Sequence, residues 1–139
     1  MPVQVVIDTS VLVAALRSST GASFELLRLF ATGDTRWQWN ISTALILEYE
    51  AVLKREQHRR GRDAATIDRF LDDVAAHSNR HSIFYLIRPF LTDPNDEFIL
   101  ELALASASDY IITHNLRDFR DADRFGVRVA TPAEFLRII

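Results

Sequence analysis

Short apolar runs alternate with longer amphipathic segments along this chain, a pattern typical of strands interleaved with helices. Val3–Ile7 is β-branched and almost wholly apolar, which predicts a strand buried on both faces. Trp37, Trp39 and Ile41 alternate with polar residues, which predicts a second strand with one buried face. The remaining predicted strands are Ser82–Ile87, Tyr110–Thr113 and Val127–Ala130.

The segments between these strands carry apolar residues at helical spacing. Thr9 or Ser10 can cap the first helix, and Ser42 can cap the third. Pro94 suits the first position of a strongly apolar helix. The predicted helices are Val11–Arg17, Ala22–Ala31, a segment from Ser42 towards Arg55, 63–77, Pro94–Ala107 and a short final helix from Pro132 or Ala133. Strands that alternate with helices predict an α/β fold with a mostly parallel sheet and helices on both faces.

The composition changes this picture mainly by what it excludes. The chain has 139 residues, which predicts a single domain over 1–139. Its net charge of −3 excludes nucleic-acid binding by bulk charge, and the absence of cysteine excludes disulfide scaffolds and thiolate metal sites. Four scattered glycines do not form a phosphate-binding loop. No segment resembles a membrane span or a secretory signal, so we expect a cytoplasmic protein without membrane contacts.

Acidic and amide side chains follow three of the predicted strands. Asp8 comes directly after the first strand, Asp93 and Asp96 come after the third, and Asn115 and Asp118 come after the fourth. Because parallel strands end at the same edge of a sheet, we expect these side chains to share one crevice. Clustered carboxylates repel one another unless a cation lies between them, and oxygen ligands suit Mg²⁺ or Mn²⁺. Phosphodiester hydrolysis is the natural reaction class for such a site.

Each of these acids also has a structural interpretation. Asp8 can cap the following helix, Asp93 fits the N-cap ahead of Pro94, and Asp118 can be an ordinary turn residue. Asp96 is more informative, because it shares a helical stripe with apolar residues and so points inward, where a charge needs a partner. The other members of that stripe are Ile99, Leu100, Ala103 and Ala107.

Two glutamates on the third predicted helix cannot be separated by periodicity. Glu48 lies at one border of the apolar stripe, near Val52, and Glu50 lies at the opposite border, beside Ile46. From spacing alone, both are most simply helix acids that face solvent.

Five segments, taken in their order along the chain, resemble the motifs of a known protein family. They are VVIDTSVLV at 5–13, STALILEYEAVL at 42–53, DPNDEFILELA at 93–103, DYIITHNLRDF at 109–119 and TPAEFL at 131–136. Together they cover almost the whole chain and resemble the PIN-domain nucleases, particularly the VapC-like toxins of bacterial toxin–antitoxin systems.

The resemblance implies a three-layer α/β/α sandwich that cleaves RNA with Mg²⁺ or Mn²⁺. The catalytic, metal-binding residues that it implies are Asp8, Glu48, Asp96 and Asp118. Supporting or substrate-contacting roles fall on Thr113, Asn115, Asp93 and Ser10. The implied partners are an RNA substrate and a small antitoxin protein, and a homodimer is allowed.

Other interpretations stay open at the level of sequence. A non-catalytic PIN-like domain could bind RNA or a protein instead. An aspartyl phosphotransferase could use Asp8 as its nucleophile, although Ser10 stands where some of those enzymes carry a second acid. A basic run at 54–62 either grips RNA phosphates or is a solvated helix end. His114 has a structural role or contacts substrate, and the tryptophans are core residues or base-stacking platforms.

Overall fold

The computed structural model describes the backbone of residues 1–82 and 94–139, and the side chains of 1–82 and 97–139. Within these ranges, five strands form one sheet with the order β3-β2-β1-β4-β5, and every pairing between neighbouring strands is parallel. The strands are β1 (Val3–Ile7), β2 (Trp37–Ser42), β3 (Asn79–His81), β4 (Tyr110–Ile112) and β5 (Arg128–Ala130).

Helices cover both faces of the sheet, which confirms the predicted α/β/α sandwich. They are α1 (Thr9–Arg17), α2 (Ala22–Ala31), α3 (Thr43–Arg59), α4 (Ala65–His77), α5 (Pro94–Ala105) and α6 (Pro132–Ile138). Two 3₁₀ turns, Leu116–Phe119 and Ala122–Phe125, follow β4. Across the described part of the chain, no helix combines the length and apolarity needed to cross a membrane.

The two tryptophans of β2 lie in the core, as their alternation indicated. Trp39 packs against Phe30 of α2 with a ring-centroid distance of 4.9 Å and against Tyr49 of α3 at 6.1 Å. It also contacts Phe70 of α4 at 6.3 Å. The indole rings therefore fix how three helices sit on one face of the sheet, and base stacking by these residues is excluded by their burial.

The third strand that the structure describes lies earlier in the chain than the predicted one. The structure forms β3 at Asn79–His81, and Ser82 lies after the strand. The rest of the predicted segment Ser82–Ile87 lies outside the described residues. The observed strand is polar and is held partly by side chains: Asn79 Nδ2 donates to Gln38 Oε1 at 3.2 Å. An apolar pattern could not identify an edge strand of this kind.

Two helices have C-terminal ends that differ from the prediction. Helix α3 runs to Arg59, past the expected end at Arg55, because polar residues in its last turns are buried against the fold. Helix α5 begins at Pro94 as predicted but ends at Ala105, before the expected Ala107. Ala107 has a φ of 53°, and the amides of residues 107 and 108 donate to the carbonyls of residues 104 and 103 at 3.2 and 2.9 Å. This left-handed cap ends the helix at a non-glycine residue.

Candidate active site

The site lies at the topological switch point of the sheet, between β1 and β4. From β1 the chain continues to β2 and β3 on one side, and later to β4 and β5 on the other. Ile7 of β1 pairs with Ile112 of β4, so the next residues of the two strands, Asp8 and Thr113, lie side by side. In open parallel sheets, the crevice at such a switch point is where ligands bind.

Asp8 is held in this crevice by two hydroxyl groups. Its side chain is nearly buried, at 6% exposure, and its Oδ2 accepts hydrogen bonds from Ser10 Oγ and Thr113 Oγ1, both at 2.7 Å. The two hydroxyls are oriented in turn by backbone amides, since the amide of His114 donates to Ser10 Oγ and that of Asn115 to Thr113 Oγ1. Two donors on one oxygen fix the carboxylate and leave Oδ1 without a hydrogen bond from any described residue.

The expected capping of α1 does not occur. Asp8 occupies the N-cap position, but its side chain makes no cap hydrogen bond, and the hydroxyls of Thr9 and Ser10 are used elsewhere. Ser10 binds Asp8, and Thr9 Oγ1 donates to the Glu48 carboxylate. The polar side chains at the start of α1 therefore hold acidic groups in place. By contrast, Ser42 caps α3 as predicted, accepting from the amide of Leu45 at 3.2 Å.

The structure separates the two glutamates of α3. Glu48 lines the same pocket as Asp8, with Thr9 as its hydrogen-bond donor. Glu50 lies outside that pocket and pairs with Lys54 Nζ at 3.0 Å. Lys54 is also bound by Asp68 of α4 at 2.8 Å, so Glu50 belongs to an ion-pair cluster that joins two helices.

Tyr49 supports the site from below. Its ring is buried, its hydroxyl donates to the carbonyl of Ile7 at the end of β1, and it accepts from Trp39 Nε1 at 3.3 Å. Burial raises the pKa of this phenol well above its ordinary value, and the nearby charges of Asp8 and Glu48 raise it further. The hydroxyl therefore stays protonated and acts as a fixed hydrogen-bond donor beneath the carboxylates, not as a base.

The pocket formed by these residues has a volume of about 700 Å³. Asn115 and Asp118 enter it from the segment after β4, where the amide of Asp118 donates to the carbonyl of Asn115 at 3.0 Å. The lining residues are Asp8, Thr9, Ser10, Val13, Ala14, Arg17, Ser18, Glu48, Val52, His114, Asn115 and Asp118. The structure thus brings together the predicted residues of three separate elements.

Two predicted acids cannot be placed by their side chains. Asp93 lies outside the described residues, as does the side chain of Asp96, whose backbone belongs to the first turn of α5. Among the side chains of 1–82 and 97–139, no three acidic or histidine groups come close enough to enclose a metal ion. The donor chemistry of the pocket nevertheless fits a hard divalent cation, because its lining residues include the oxygen donors Asp8, Glu48, Asn115 and Asp118.

His114 and Arg17 reach this pocket in different ways. His114 Nε2 is hydrogen-bonded to Oγ of the buried Ser23 at 2.7 Å, which favours the structural interpretation of this histidine. The sequence did not identify Arg17 as a residue of the site, because it resembles any basic residue at the end of a helix. Its guanidinium is tied to Glu56 of α3, 39 positions away, a contact that only the fold creates.

A second, larger cleft of about 940 Å³ lies on the tryptophan face of the sheet. It is mostly apolar and runs between α2 and α4, with side chains of β2 and α1 as its floor. Phe24, Leu27, Phe30, Trp39, Ile67 and Phe70 are among the residues that line it.

Comparison with known proteins places the chain in a family. The family model described as PIN domain matches residues 4–117, most of the chain. No curated protein matches it significantly. Among solved structures, the crystal structure of VapBC2 from Rickettsia felis bound to a DNA fragment from their promoter has a similar fold, with a TM-score of 0.62. The identity is 14%, and the match covers 91% of this chain and 98% of that one. The chain therefore belongs to the PIN domain family, as the order of its sequence motifs implied.

Proposed function

We propose that this chain is a divalent-metal-dependent endoribonuclease and the toxin of a toxin–antitoxin pair. PIN domains are generally nucleases, and the observation that carries the proposal here is the environment of Asp8. Its carboxylate lies at the switch point of the sheet, is fixed by two hydroxyls, and shares a pocket with Glu48, Asn115 and Asp118. An ordinary helix cap would not require this arrangement.

In the proposed site, Asp8, Asp96 and Asp118 hold Mg²⁺ or Mn²⁺, and Glu48 binds directly or through water. When bound, such an ion supplies an activated water and neutralises charge on the phosphate. Ser10 and Thr113 keep the Asp8 carboxylate in one orientation, and Thr9 does the same for Glu48. The side chain of Asn115 is available in the pocket to orient water or a phosphate oxygen.

The proposal predicts that RNA cleavage requires the metal and Asp8. The purified protein should cleave a single-stranded RNA with Mg²⁺ or Mn²⁺, and cleavage should stop when EDTA removes the ion. Asp8→Asn should abolish cleavage, because the amide cannot supply an anionic oxygen to the ion. Circular dichroism and thermal unfolding should show a folded variant, since Asn keeps an acceptor for the two hydroxyls.

Isothermal titration with Mn²⁺ separates this proposal from the non-catalytic alternative. We expect the parent protein to bind Mn²⁺ and Asp8→Asn to bind it much more weakly. Full cleavage in EDTA, or equal Mn²⁺ binding by the parent and the variant, would contradict the metal-dependent mechanism. An RNA-binding protein that neither cleaves nor takes up Mn²⁺ would favour the non-catalytic alternative.

The apolar cleft supports the proposal that the chain binds an antitoxin protein. Open apolar surfaces of this extent, rimmed by polar groups, are typical of protein interaction sites. The cleft combines aromatic side chains with polar lining residues such as Arg28 and Asp73. We propose that a small antitoxin protein places apolar side chains in this cleft.

A further inference from the structure

We propose that Arg17 and Arg59 form a phosphate-binding rim beside the acidic pocket, on which the RNA backbone lies next to the bond that is cleaved. This inference rests on the proposed ribonuclease function and names the part of the protein that grips the substrate. It explains how a chain with a net charge of −3 could hold a polyanion against a pocket of carboxylates.

Arg17 lies on the side of α1 that lines the acidic pocket. Ser10, Ala14 and Arg17 follow one another at helical spacing, and all three line the acidic pocket. Seven residues of α-helix span roughly 10 Å. Arg17 therefore lies too far along α1 from the Asp8 end of the pocket for both residues to contact the same phosphate group. It is placed to bind a neighbouring phosphate, and Asp8 remains with the reacting one.

Glu56 fixes the guanidinium group of Arg17. Arg17 Nε donates to Glu56 Oε1 at 2.8 Å, and Nη2 donates to Oε2 at 3.3 Å. Two parallel hydrogen bonds to one carboxylate set the plane of the guanidinium group. The Arg17 side chain is still 56% exposed, and its Nη1 makes no hydrogen bond to a described residue. The group is thus both oriented and accessible.

The surroundings of Glu56 carry a local excess of positive charge. Arg59 and Arg60 also approach Glu56, with nitrogen–oxygen distances of 3.9 and 3.7 Å, so three guanidinium groups surround one carboxylate. Arg60 is occupied in part, because its Nη1 donates to the carbonyl of Leu16 at the end of α1 at 3.0 Å. Arg59 is more exposed, and among the described residues its ion-pair contact is the long one to Glu56. Of the two arginines of the basic run that approach Glu56, Arg59 is thus the one that extends the rim from Arg17.

Single-residue variants in an Asp8→Asn background, which should bind RNA without cleaving it, test this rim. The affinity for a fluorescein-labelled single-stranded RNA is measured by fluorescence anisotropy across a series of KCl concentrations. Each lost phosphate contact should reduce the slope of log K against log[KCl] by about 0.7. We expect this reduction for Arg17→Gln and for Arg59→Gln, and about twice as much for the double variant.

Arg28 on α2 provides the matched control. It also makes a two-point ion pair, with Glu25, and its side chain is 51% exposed, but it borders the apolar cleft instead of the acidic pocket. Arg28→Gln should leave the slope unchanged. Arg17→Lys should keep the slope, since the charge remains, but lower the affinity because lysine lacks the fixed fork. Thermal unfolding of each variant shows whether it is folded.

The possible outcomes are distinct. Unchanged slopes in Arg17→Gln and Arg59→Gln, or an equal loss in Arg28→Gln, overturn the rim while cleavage by the parent protein still supports the ribonuclease proposal. If the parent neither cleaves nor binds RNA, the function itself fails. If Arg17→Gln leaves RNA binding intact and instead weakens binding of an acidic protein partner, the rim is a protein-binding surface and the inference is wrong.

Discussion

Glu48 and Glu50 are two positions apart on α3, yet their surroundings differ completely. Glu48 accepts a hydrogen bond from Thr9 and lines the acidic pocket, whereas Glu50 is paired with Lys54 at 3.0 Å. Helical spacing places both at borders of the apolar stripe, so the difference depends on what packs beside each border. The family resemblance chose Glu48, and the geometry of the pocket supports the same choice.

The two isosteric variants Glu48→Gln and Glu50→Gln test this choice. If Glu48 contacts the metal directly or through water, its substitution removes a charge and should lower the cleavage rate by a factor of about a hundred. Glu50→Gln should change the rate little, because it only weakens a partly exposed ion pair. Initial rates on one RNA oligonucleotide at saturating Mg²⁺ compare the two. Equal losses, or a larger loss in Glu50→Gln, would show that the residue-by-residue assignment on α3 is wrong.

At the level of single residues, the sequence could identify side chains whose position follows from the topology. Asp8, Asn115 and Asp118 follow two adjacent parallel strands, so the rule that ligands bind beyond strand ends was sufficient to predict that they share one crevice. Thr113 lies within the predicted strand and was assigned a role only through the family resemblance. Arg17 could not be identified in this way. Its orientation depends on Glu56, which is remote in sequence and looks like any polar residue of an amphipathic helix.

At the level of elements, Glu56 joins the end of α1 to the last turns of α3. The hydrogen bond from Arg17 holds the pKa of the Glu56 carboxyl below its ordinary value of 4.5, and the charges of Arg17, Arg60 and Arg59 lower it further. A group whose pKa is lower in the folded state stabilises the fold when it is ionised. That contribution is present above the ordinary carboxyl pKa and is lost as the pH falls through the lower, folded-state value.

The free energy of unfolding should therefore fall more steeply with acid in the parent protein than in Glu56→Gln. Urea unfolding followed by circular dichroism between about pH 6 and pH 3 measures both curves, and they should converge at the acid end. Glu25→Gln is the control. Glu25 also has a lowered pKa from its hydrogen bonds with Arg28, but this ion pair is exposed and lies within one helix, so the stability curve of the variant should stay close to that of the parent. Parallel curves for the parent and Glu56→Gln would contradict a stabilising role for the ionised carboxylate.

Elements with a strong apolar pattern were predictable, and elements defined by polar or long-range contacts were not. Val3–Ile7 and Ala22–Ala31 have the predicted bounds. Strand β3 was missed because side-chain amides and a histidine hold it at the sheet edge, as in the hydrogen bond between His81 Nε2 and Asn40 Oδ1 at 2.8 Å. The end of α5 was missed because an alanine, Ala107, adopts the left-handed conformation that usually signals glycine.

At the level of the whole molecule, α1 separates the acidic pocket from the apolar cleft. Ser10, Ala14 and Arg17 line the pocket, whereas Leu12 and Leu16 of the same helix line the cleft. One helix therefore presents a polar face to the proposed substrate and an apolar face to the proposed partner. A protein bound in the cleft would pack directly against the element that carries Ser10 and Arg17, which gives a physical route from partner binding to RNA binding.

Phe24 tests the cleft without disturbing the pocket. Its side chain lines the cleft and is 40% exposed, so Phe24→Glu should fold while placing a charge where an apolar partner would dock. We expect binding of the proposed antitoxin to weaken on the order of tenfold or more, because an aromatic hot spot of an interface typically contributes about 2 kcal/mol or more. Co-purification of the two proteins, followed by titration of one into the other, measures the change, and RNA cleavage by the variant alone should remain.

Leu47 on α3 is the matched control for this change. It is an exposed apolar residue, at 57%, that lies in neither the cleft nor the acidic pocket. Leu47→Glu adds the same charge to the same fold, so it should leave both partner binding and cleavage close to those of the parent. If the partner binds Phe24→Glu as tightly as the parent, it does not dock in the cleft. If instead Leu47→Glu alone abolishes binding, the partner covers the outer face of α3, and inhibition of cleavage would then act through the helix that carries Glu48 rather than through α1.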